Sequence, residues 1–367
     1  MAGLRIAVSL LLLATACSAQ SGPRVSPVDR QLRKDLHLLP MHVGGRAVVR
    51  ENEVLRQWPG TYFETAFNGT EIYFRVGEGE QKLHVRLDGQ VIQTLMRPAA
   101  GLYALTGLAK GPHRLAVEVA SESQAGPTAF GGFFAPASTK ASKWPARTRQ
   151  IEFIGDSHTV GYGNTSATRE CTEQKVWETT DTSQAFGPIL ARRYAADYEV
   201  NAISGRGVVR SYDGAAVDSL PTIYPYVLFN RDKLARDSTW QPSLVVISLG
   251  TNDFSTQLHP DEKWRSRKEL SADFRSSYVA FVKRLRAANP DAQFVVWTTD
   301  AANEEVAAEV RSAVEDLKAA GEKRIDFVEI AGLEFGGCNY HPSVADDRRI
   351  AERLAAVIDA HADLWRN

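Results

Sequence analysis

The sequence predicts two domains of different class. An all-β, jelly-roll-like sandwich spans residues 41–136, and an α/β domain with a doubly wound parallel sheet of five strands spans 148–367. Three observations carry this. Between 41 and 136, short runs such as TYFETAF, TEIYFRVG, KLHVRLDG and HRLAVEVAS alternate apolar and polar residues, with Gly, Asn and Asp between them. After Gln150, five apolar runs (IEFI, YEVNAIS, SLVVISL, AQFVVWTT, IDFVEI) alternate with helical patterns, which is how parallel sheets are built. Between these regions FGGFFAPASTKASKWPART, residues 130–148, breaks the strand pattern, and its Gly, Ala, Pro and Ser mark a connection, with 137–147 as the linker.

The elements follow in order. MAGLRIAVSLLLLATACSAQ carries Arg5, an apolar run from Ile6 to Ala14, then small residues. That is the pattern of a secretory signal peptide over residues 1–19, cleaved after Ala16 or Ala19; the run is too short to span a bilayer. Cys17 after Ala-Thr-Ala also resembles a bacterial lipoprotein cleavage site, although Ala14 stands where Leu is usual. Soluble export, secreted or periplasmic, and lipid anchoring at Cys17 both stay open. Residues 20–40 are polar and mixed, and are expected to be flexible. In the second domain the helical patterns are SQAFGPILARRYA, ELSADFRSSYVAFVKRLRAA, NEEVAAEVRSAVEDLKAA and SVADDRRIAERLAAVIDAHA.

Composition sets limits. The chain has 367 residues, 44% hydrophobic and 24% charged, with a formal net charge of -1. No basic surplus suggests a nucleic-acid partner, and no later stretch is apolar enough to span a membrane. With Cys17 removed or lipidated, Cys171 and Cys338 remain. Two cysteines in an exported protein favour a disulfide over two buried thiols.

Doubly wound sheets bind ligands beyond the carboxyl ends of their strands, so the residues after each apolar run matter most. The first run ends in Gly155-Asp156-Ser157-His158, and the second in Ser204-Gly205-Arg206-Gly207. The third ends in Gly250-Thr251-Asn252-Asp253. The fifth leads to Gly337-Cys338-Asn339-Tyr340-His341-Pro342. Alone, Gly-Asp-Ser reads as a turn. Together the four segments bring a hydroxyl, a glycine amide, a carboxamide and an imidazole to one edge. Acyl transfer needs those parts: a nucleophile, a base, and donors for a developing oxyanion.

These segments, in this order and spacing, resemble the four blocks of the SGNH (GDSL-type) hydrolases over residues 148–367. The preceding sandwich, with GDSHTVGYGN and GCNYHPS, makes the chain most similar to carbohydrate esterase family 2, which deacetylates plant polysaccharides and related acetylated sugars. The resemblance implies Ser157 as nucleophile and His341 as general base and acid. It implies an oxyanion hole from the amides of Ser157 and Gly205 and the side chain of Asn252, with Asp156 bracing the nucleophile loop. One departure matters. Many SGNH hydrolases carry Asp three residues before the His, and the esterase family often two before; here those positions are Cys338 and Asn339. The resemblance implies a backbone carbonyl behind the imidazole and a Ser-His dyad. A third acid from elsewhere in the chain stays open.

The other histidines have weaker claims. His37, His42, His84 and His113 precede the α/β domain. His158 adjoins Ser157, which is poor geometry for deprotonating it. His259 lies in a charged loop and His361 in the last helix. Tyr340 reads equally as a sugar platform or as packing, and Trp297 as core. No HExxH, paired CxxC or phosphate loop is present, so neither metal nor cofactor is expected. The reading is an exported serine esterase that removes O-acetyl groups from a polysaccharide or oligosaccharide. The rivals are a lipase, thioesterase or peptidoglycan O-acetylesterase on the same scaffold, and an inactive carbohydrate-binding protein.

Overall fold

A computed structural model of the chain describes residues 22–29, 35–51, 53–144, 146–235, 239–300 and 304–365. The expected signal peptide and Cys17 lie outside the described residues.

The first domain is two antiparallel sheets packed face to face. One runs, in spatial order, Arg24–Val28, Gly101–Thr106, Ile72–Val76, Thr128–Ala135, Val54–Arg56, Ala47–Val49, with His37–Leu38 also on Thr128–Ala135. The other runs Lys140–Ala141, Tyr62–Gly69, Gly111–Val119, Lys82–Leu87, Gln90–Met96, with His42–Gly44 also on Tyr62–Gly69. The period-two alternation turns Phe63, Phe67, Leu83, Val85, Leu115 and Val117 inward against Phe74, Phe130 and Phe133. The rings of Phe63 and Phe130 stack with centroids 4.2 Å apart.

Two expectations are corrected here. The segment 20–40, expected to be flexible, supplies Arg24–Val28, which pairs along Gly101–Thr106 and buries Val25. Pro27 is tolerated because the strand lies at the sheet edge. The segment from 130, expected to break the strand pattern, begins inside Thr128–Ala135, an interior strand. Its Gly131-Gly132 pair sits where the register shifts between Phe130 and Phe133, so the bulge interrupts an alternation that is otherwise intact. Within the expected linker, Lys140–Ala141 pairs with Asn68 and Phe67. A two-residue edge strand leaves no period to read.

The second domain is built on five parallel strands: β1 (Gln150–Gly155), β2 (Asp197–Ala202), β3 (Leu244–Ser248), β4 (Gln293–Thr299) and β5 (Ile325–Ile330). Their order is β2-β1-β3-β4-β5. The helices are α1 (Ser157–Val160), α2 (Glu173–Thr179), α3 (Phe186–Arg193), α4 (Leu220–Ile223), α5 (Thr251–Phe254), α6 (Arg267–Ala288), α7 (Glu305–Ala319) and α8 (Val344–Ile358). The short helices α1, α2, α4 and α5 carry too few turns to show a period. Both sheet faces are covered. Phe153 of β1 joins Leu190 of α3 and Leu354 of α8, while its neighbour Ile154 joins Phe281 of α6 and Val310 of α7. The chain goes from β1 outward to β2, then back across to β3. The carboxyl ends of β1 and β3 therefore flank a switch point, where such sheets open a crevice.

The sandwich covers the sheet's β2 edge. All six residues of β2 are buried although it is an edge strand. Its inward acids meet cations from the sandwich side. Arg46 donates to Glu199 at 2.8 Å and to Glu152 of β1 at 3.0 Å. Arg147 bridges Glu64 and Asp197 at 2.6 and 2.7 Å, and the Tyr62 hydroxyl donates to Asp197 at 2.8 Å. Deeper in, Trp58 donates to the Tyr226 carbonyl at 3.0 Å, and His84 meets Asp181 at 2.8 Å.

Removing one partner of a buried ion pair leaves a charge without compensation. Arg46→Met should therefore destabilise the protein by about 3–5 kcal/mol, seen as a lower urea midpoint. An unchanged midpoint would mean that Tyr224 and Asn201, which also donate to Glu152, satisfy the acids unaided.

Candidate active site

β1 delivers Ser157. The strand ends at Gly155, and Asp156 caps α1 by accepting the His158 amide at 3.1 Å. Ser157 opens that helix, at the switch point. The last loop delivers His341, and the capping box of Ser343 and Asp346 fixes the start of α8 just beyond it. The two meet: His341 Nε2 lies 2.9 Å from Ser157 Oγ.

The other face of the imidazole is held by backbone. Nδ1 is 3.0 Å from the carbonyl of Cys338 and 3.2 Å from that of Asn339. Nδ1–H donating to these carbonyls leaves Nε2 free to accept from the Ser157 hydroxyl. Two carbonyls reach one nitrogen because the turn is tightly wound. Asn339 and Tyr340 both adopt left-handed backbone, φ 51° and 58°. Burial lowers the pKa of His341 against those two acceptors.

The turn is anchored on the loop that follows Ser157. Cys338 forms a disulfide with Cys171, with Cα atoms 5.5 Å apart. The Cys338 amide donates to the Gly163 carbonyl at 3.2 Å, and the Asn339 amide to that of Arg169. Gly163 has φ +57°, and a Cβ there would lie 2.3 Å from the Cβ of Cys338, so only glycine lets the two loops approach this closely. Tyr162, which sequence reasoning gave no role, lays its ring on His341 with centroids 4.3 Å apart. Its only signal was an aromatic residue in the glycine-spaced loop after the serine. Below it, Asn164 donates to Asp347 of α8 at 2.9 Å in a buried contact.

No acid among the described residues takes the place behind Nδ1. Asp253 accepts the amides of Val208, Val209 and Arg210 at 3.0, 2.8 and 2.9 Å. Asp346 serves Ser343 and the Glu334 amide, Glu334 pairs with Arg349, and Asp300 accepts the Gly332 amide. Burial pushes the carboxyl of Asp156 up to about 7, and that of Asp253 up to about 6.

The three candidate oxyanion donors lie on the segments that follow β1, β2 and β3. The amides of Ser157 and Gly205 have no protein acceptor among the described residues. Gly205 follows β2, has φ +80°, and shows open space where a Cβ would point. Asn252, on α5 after β3, donates through Nδ2 to Asp156 at 3.1 Å and to the Arg206 carbonyl at 3.0 Å. Its carboxamide thus brackets the two loops that carry Ser157 and Gly205. His158 turns its ring edge to His341 at 5.6 Å, and burial followed by the neighbouring His341 lowers it to about 3. Tyr340 is exposed, with the Arg169 guanidinium 5.5 Å from its ring.

Cavities open beside the loops that follow β1 and β2. Tyr162 and Trp177 line a cavity of about 500 Å³. Arg206 and Ser211 line another of about 820 Å³, and Gln124 of the sandwich borders both. Among the described residues one cluster has metal-ligand composition: His42, Glu64 and Asp197 at the domain interface. The Arg147 guanidinium donates to both of its carboxylates and stands where a cation would.

Residues 43–166 match the carbohydrate esterase 2 N-terminal family, and residues 153–363 match the GDSL-like lipase/acylhydrolase family. An acetylxylan esterase / glucomannan deacetylase of Cellvibrio japonicus is 40% identical over 333 residues, covering 89% of this chain and 92% of that protein. The cellulase/esterase CelE of Acetivibrio thermocellus is 30% identical over 82% of this chain and 37% of its own, longer one. A carbohydrate esterase whose active site displays divergent catalytic and non-catalytic binding functions superposes with a TM-score of 0.85 at 38% identity, covering 90% of this chain and 100% of that one. A family two carbohydrate esterase from Clostridium thermocellum, in complex with cellohexaose, does so at 0.78 and 28%, covering 89% and 100%. With both domains matched in order and a relative this similar along nearly its whole length, the chain belongs to the GDSL-like acylhydrolases and, among them, to the family 2 carbohydrate esterases.

Proposed function

We propose that this carbohydrate esterase removes acetyl groups from acetylated plant polysaccharides of the xylan or glucomannan type, through an acyl-enzyme on Ser157. The observation that carries the reading is the 2.9 Å contact of Ser157 Oγ with His341 Nε2, backed by two carbonyls on Nδ1. A binding protein with a relic site has no need to hold its imidazole in that tautomer. The names of the relatives support the acetylated substrate.

The steps follow from the geometry. Ser157 Oγ attacks the acetyl carbonyl carbon as its proton passes to His341 Nε2. The tetrahedral oxyanion is met by the Ser157 and Gly205 amides. Asn252 adds a third donor once its Nδ2 turns one hydrogen from the Arg206 carbonyl to the oxyanion. The C–O bond to the sugar breaks, and the sugar oxygen takes the proton from Nε2. Water then attacks the acetyl-serine, giving its proton to Nε2. Acetate leaves, and the proton returns to Oγ. Tyr340, exposed beside His341, offers its ring to a sugar face. The leader pattern over residues 1–19 supports export to where such polysaccharides are found. Cleavage before Cys17 would give a lipid-anchored form, and cleavage after Ala19 a soluble one.

Ser157→Ala and His341→Ala should each remove measurable acetate release from acetylated xylan, with the fold intact by circular dichroism. The double variant should be no worse than either, because the two act as a unit. Near-native activity of purified Ser157→Ala would overturn the reading.

The pH profile tests the dyad. The base works neutral, so activity is lost as pH falls through the His341 pKa. With burial lowering that pKa and only neutral carbonyls opposing it, the acid limb of kcat/KM should lie below the ordinary histidine value of about 6.5. A midpoint clearly above it would reveal a carboxylate partner.

The disulfide should matter to rate before it matters to fold. A chain beginning at Gly22, alkylated while denatured and unreduced, should take up no iodoacetamide. Cys171→Ser with Cys338→Ser should lower kcat by about 10-fold or more as the base loses its fixed geometry, since small misplacements cost that much. Unchanged turnover would show that the remaining hydrogen bonds hold the turn by themselves.

A further inference from the structure

A loop of the sandwich reaches the segment that follows β2. Glu122 follows the strand Gly111–Val119, and its Oε1 accepts the Ser204 amide at 2.8 Å. Gln124, two residues on, donates through Nε2 to the Ser204 carbonyl at 3.2 Å and to Glu122 Oε1 at 3.1 Å. Both peptide groups of Ser204 are thus held from the other domain.

The Ser204 carbonyl and the Gly205 N–H belong to one peptide unit. That unit is planar and trans, so its N–H points opposite to its C=O. Drawing the carbonyl toward Gln124 therefore turns the Gly205 N–H away from the sandwich. The Arg206 amide closes a turn on the Ile203 carbonyl at 3.3 Å, but turns with either orientation of the central peptide make that bond. Among the described residues the other neighbouring contacts, a Tyr212 amide on the Gly205 carbonyl at 2.8 Å and Asn252 on the Arg206 carbonyl at 3.0 Å, belong to the peptide units that follow. With φ +80°, Gly205 has backbone freedom that other residues lack, and an unheld plane there could flip. Farther along, Asp253 secures residues 208–210. The loop is clamped by the catalytic domain at one end and by the sandwich at the other. The Gly205 amide, without a protein acceptor among the described residues, lies between the clamps.

We infer that Glu122 and Gln124 are positioning residues for the esterase reaction: they fix the Ser204–Gly205 peptide plane and so aim the Gly205 N–H at the oxyanion. This rests on the reading of Gly205 as an oxyanion donor.

The test uses the full chain with 4-nitrophenyl acetate. Glu122→Ala and Gln124→Ala should each lower kcat by roughly 10- to 100-fold, less than the ~10²–10³ of deleting a donor outright. KM should stay within about two-fold, since the lost interaction acts on the transition state. Glu122→Gln keeps an acceptor for the Ser204 amide and should recover most of the rate. Gln124 is exposed, so its variant tests the idea even if Glu122→Ala folds poorly. Native kcat in Gln124→Ala overturns the inference, as does a loss confined to KM, which would mark a substrate contact. So does an equal loss in Glu122→Gln and Glu122→Ala. Ser157→Ala separates the two levels: inactive Ser157→Ala beside native-rate Gln124→Ala sinks the inference alone, while active Ser157→Ala sinks the underlying reading.

Discussion

A base held only by neutral groups depends on the rigidity of its backbone. A carboxylate behind an imidazole attracts it over a range of positions. Carbonyl oxygens do so only at hydrogen-bond distance and along their lone pairs. The residues around His341 meet that demand. A left-handed turn at Asn339 and Tyr340 folds two carbonyls onto Nδ1, a conformation that persists only where its surroundings impose it. Those surroundings are the Cys171–Cys338 bond, the Gly163 contact and the Arg169 carbonyl. All three belong to the loop after Ser157. Ser157 and His341, the proposed nucleophile and base, are thus carried by segments tied directly to each other, not only through the sheet.

The sandwich completes the arrangement from the opposite side. Its first task is physical: β2 would otherwise expose an unpaired edge beside buried acids. Arg46, Arg147 and Tyr62 cover that edge and neutralise Glu152, Glu199 and Asp197. Having docked there, it stands within reach of the segment that leaves β2, which is the Gly205 loop. Covering the edge and touching the site are consequences of one placement.

Patterns with a period were legible in the sequence, and contacts without one were not. Five buried strands and the long helices declare themselves by apolar runs and 3.6-residue spacing. The motif residues after β1, β2, β3 and β5 could be placed at one edge because parallel strands all end there. The strand Thr128–Ala135 was hidden by its own bulge, and Arg24–Val28 by its brevity and its proline. Tyr162, Glu122 and Gln124 gave no usable signal. Their roles come from a ring against a ring, and from a loop of one domain lying on a loop of the other. Such relations depend on docking, which no local pattern encodes. Asn252 was legible as a donor but not as the bracket between Asp156 and Arg206, since one carboxamide can serve either.

The absence of an acid behind His341 has a reason in its neighbours. Carboxyl groups are already buried at this edge, Asp156 and Asp253 among them. Burial pushes Asp156 up to about 7, and Asp253 raises it further; Asp253 itself rises to about 6 through burial. Each is offset by donors: the His158 amide and Asn252 for Asp156, three successive amides for Asp253. They are hydrogen-bond acceptors around which loops are wrapped, and the loops carry the serine and the glycine. A third carboxylate at Nδ1 would enter the same low-dielectric edge with like charges near it and few amides left to solvate it. Where buried carboxyl groups already shape the loops of Ser157 and Gly205, backbone carbonyls orient the imidazole without adding charge. What the proposed base loses in electrostatic support is made up by a turn tied to the neighbouring loop by a disulfide and backbone hydrogen bonds.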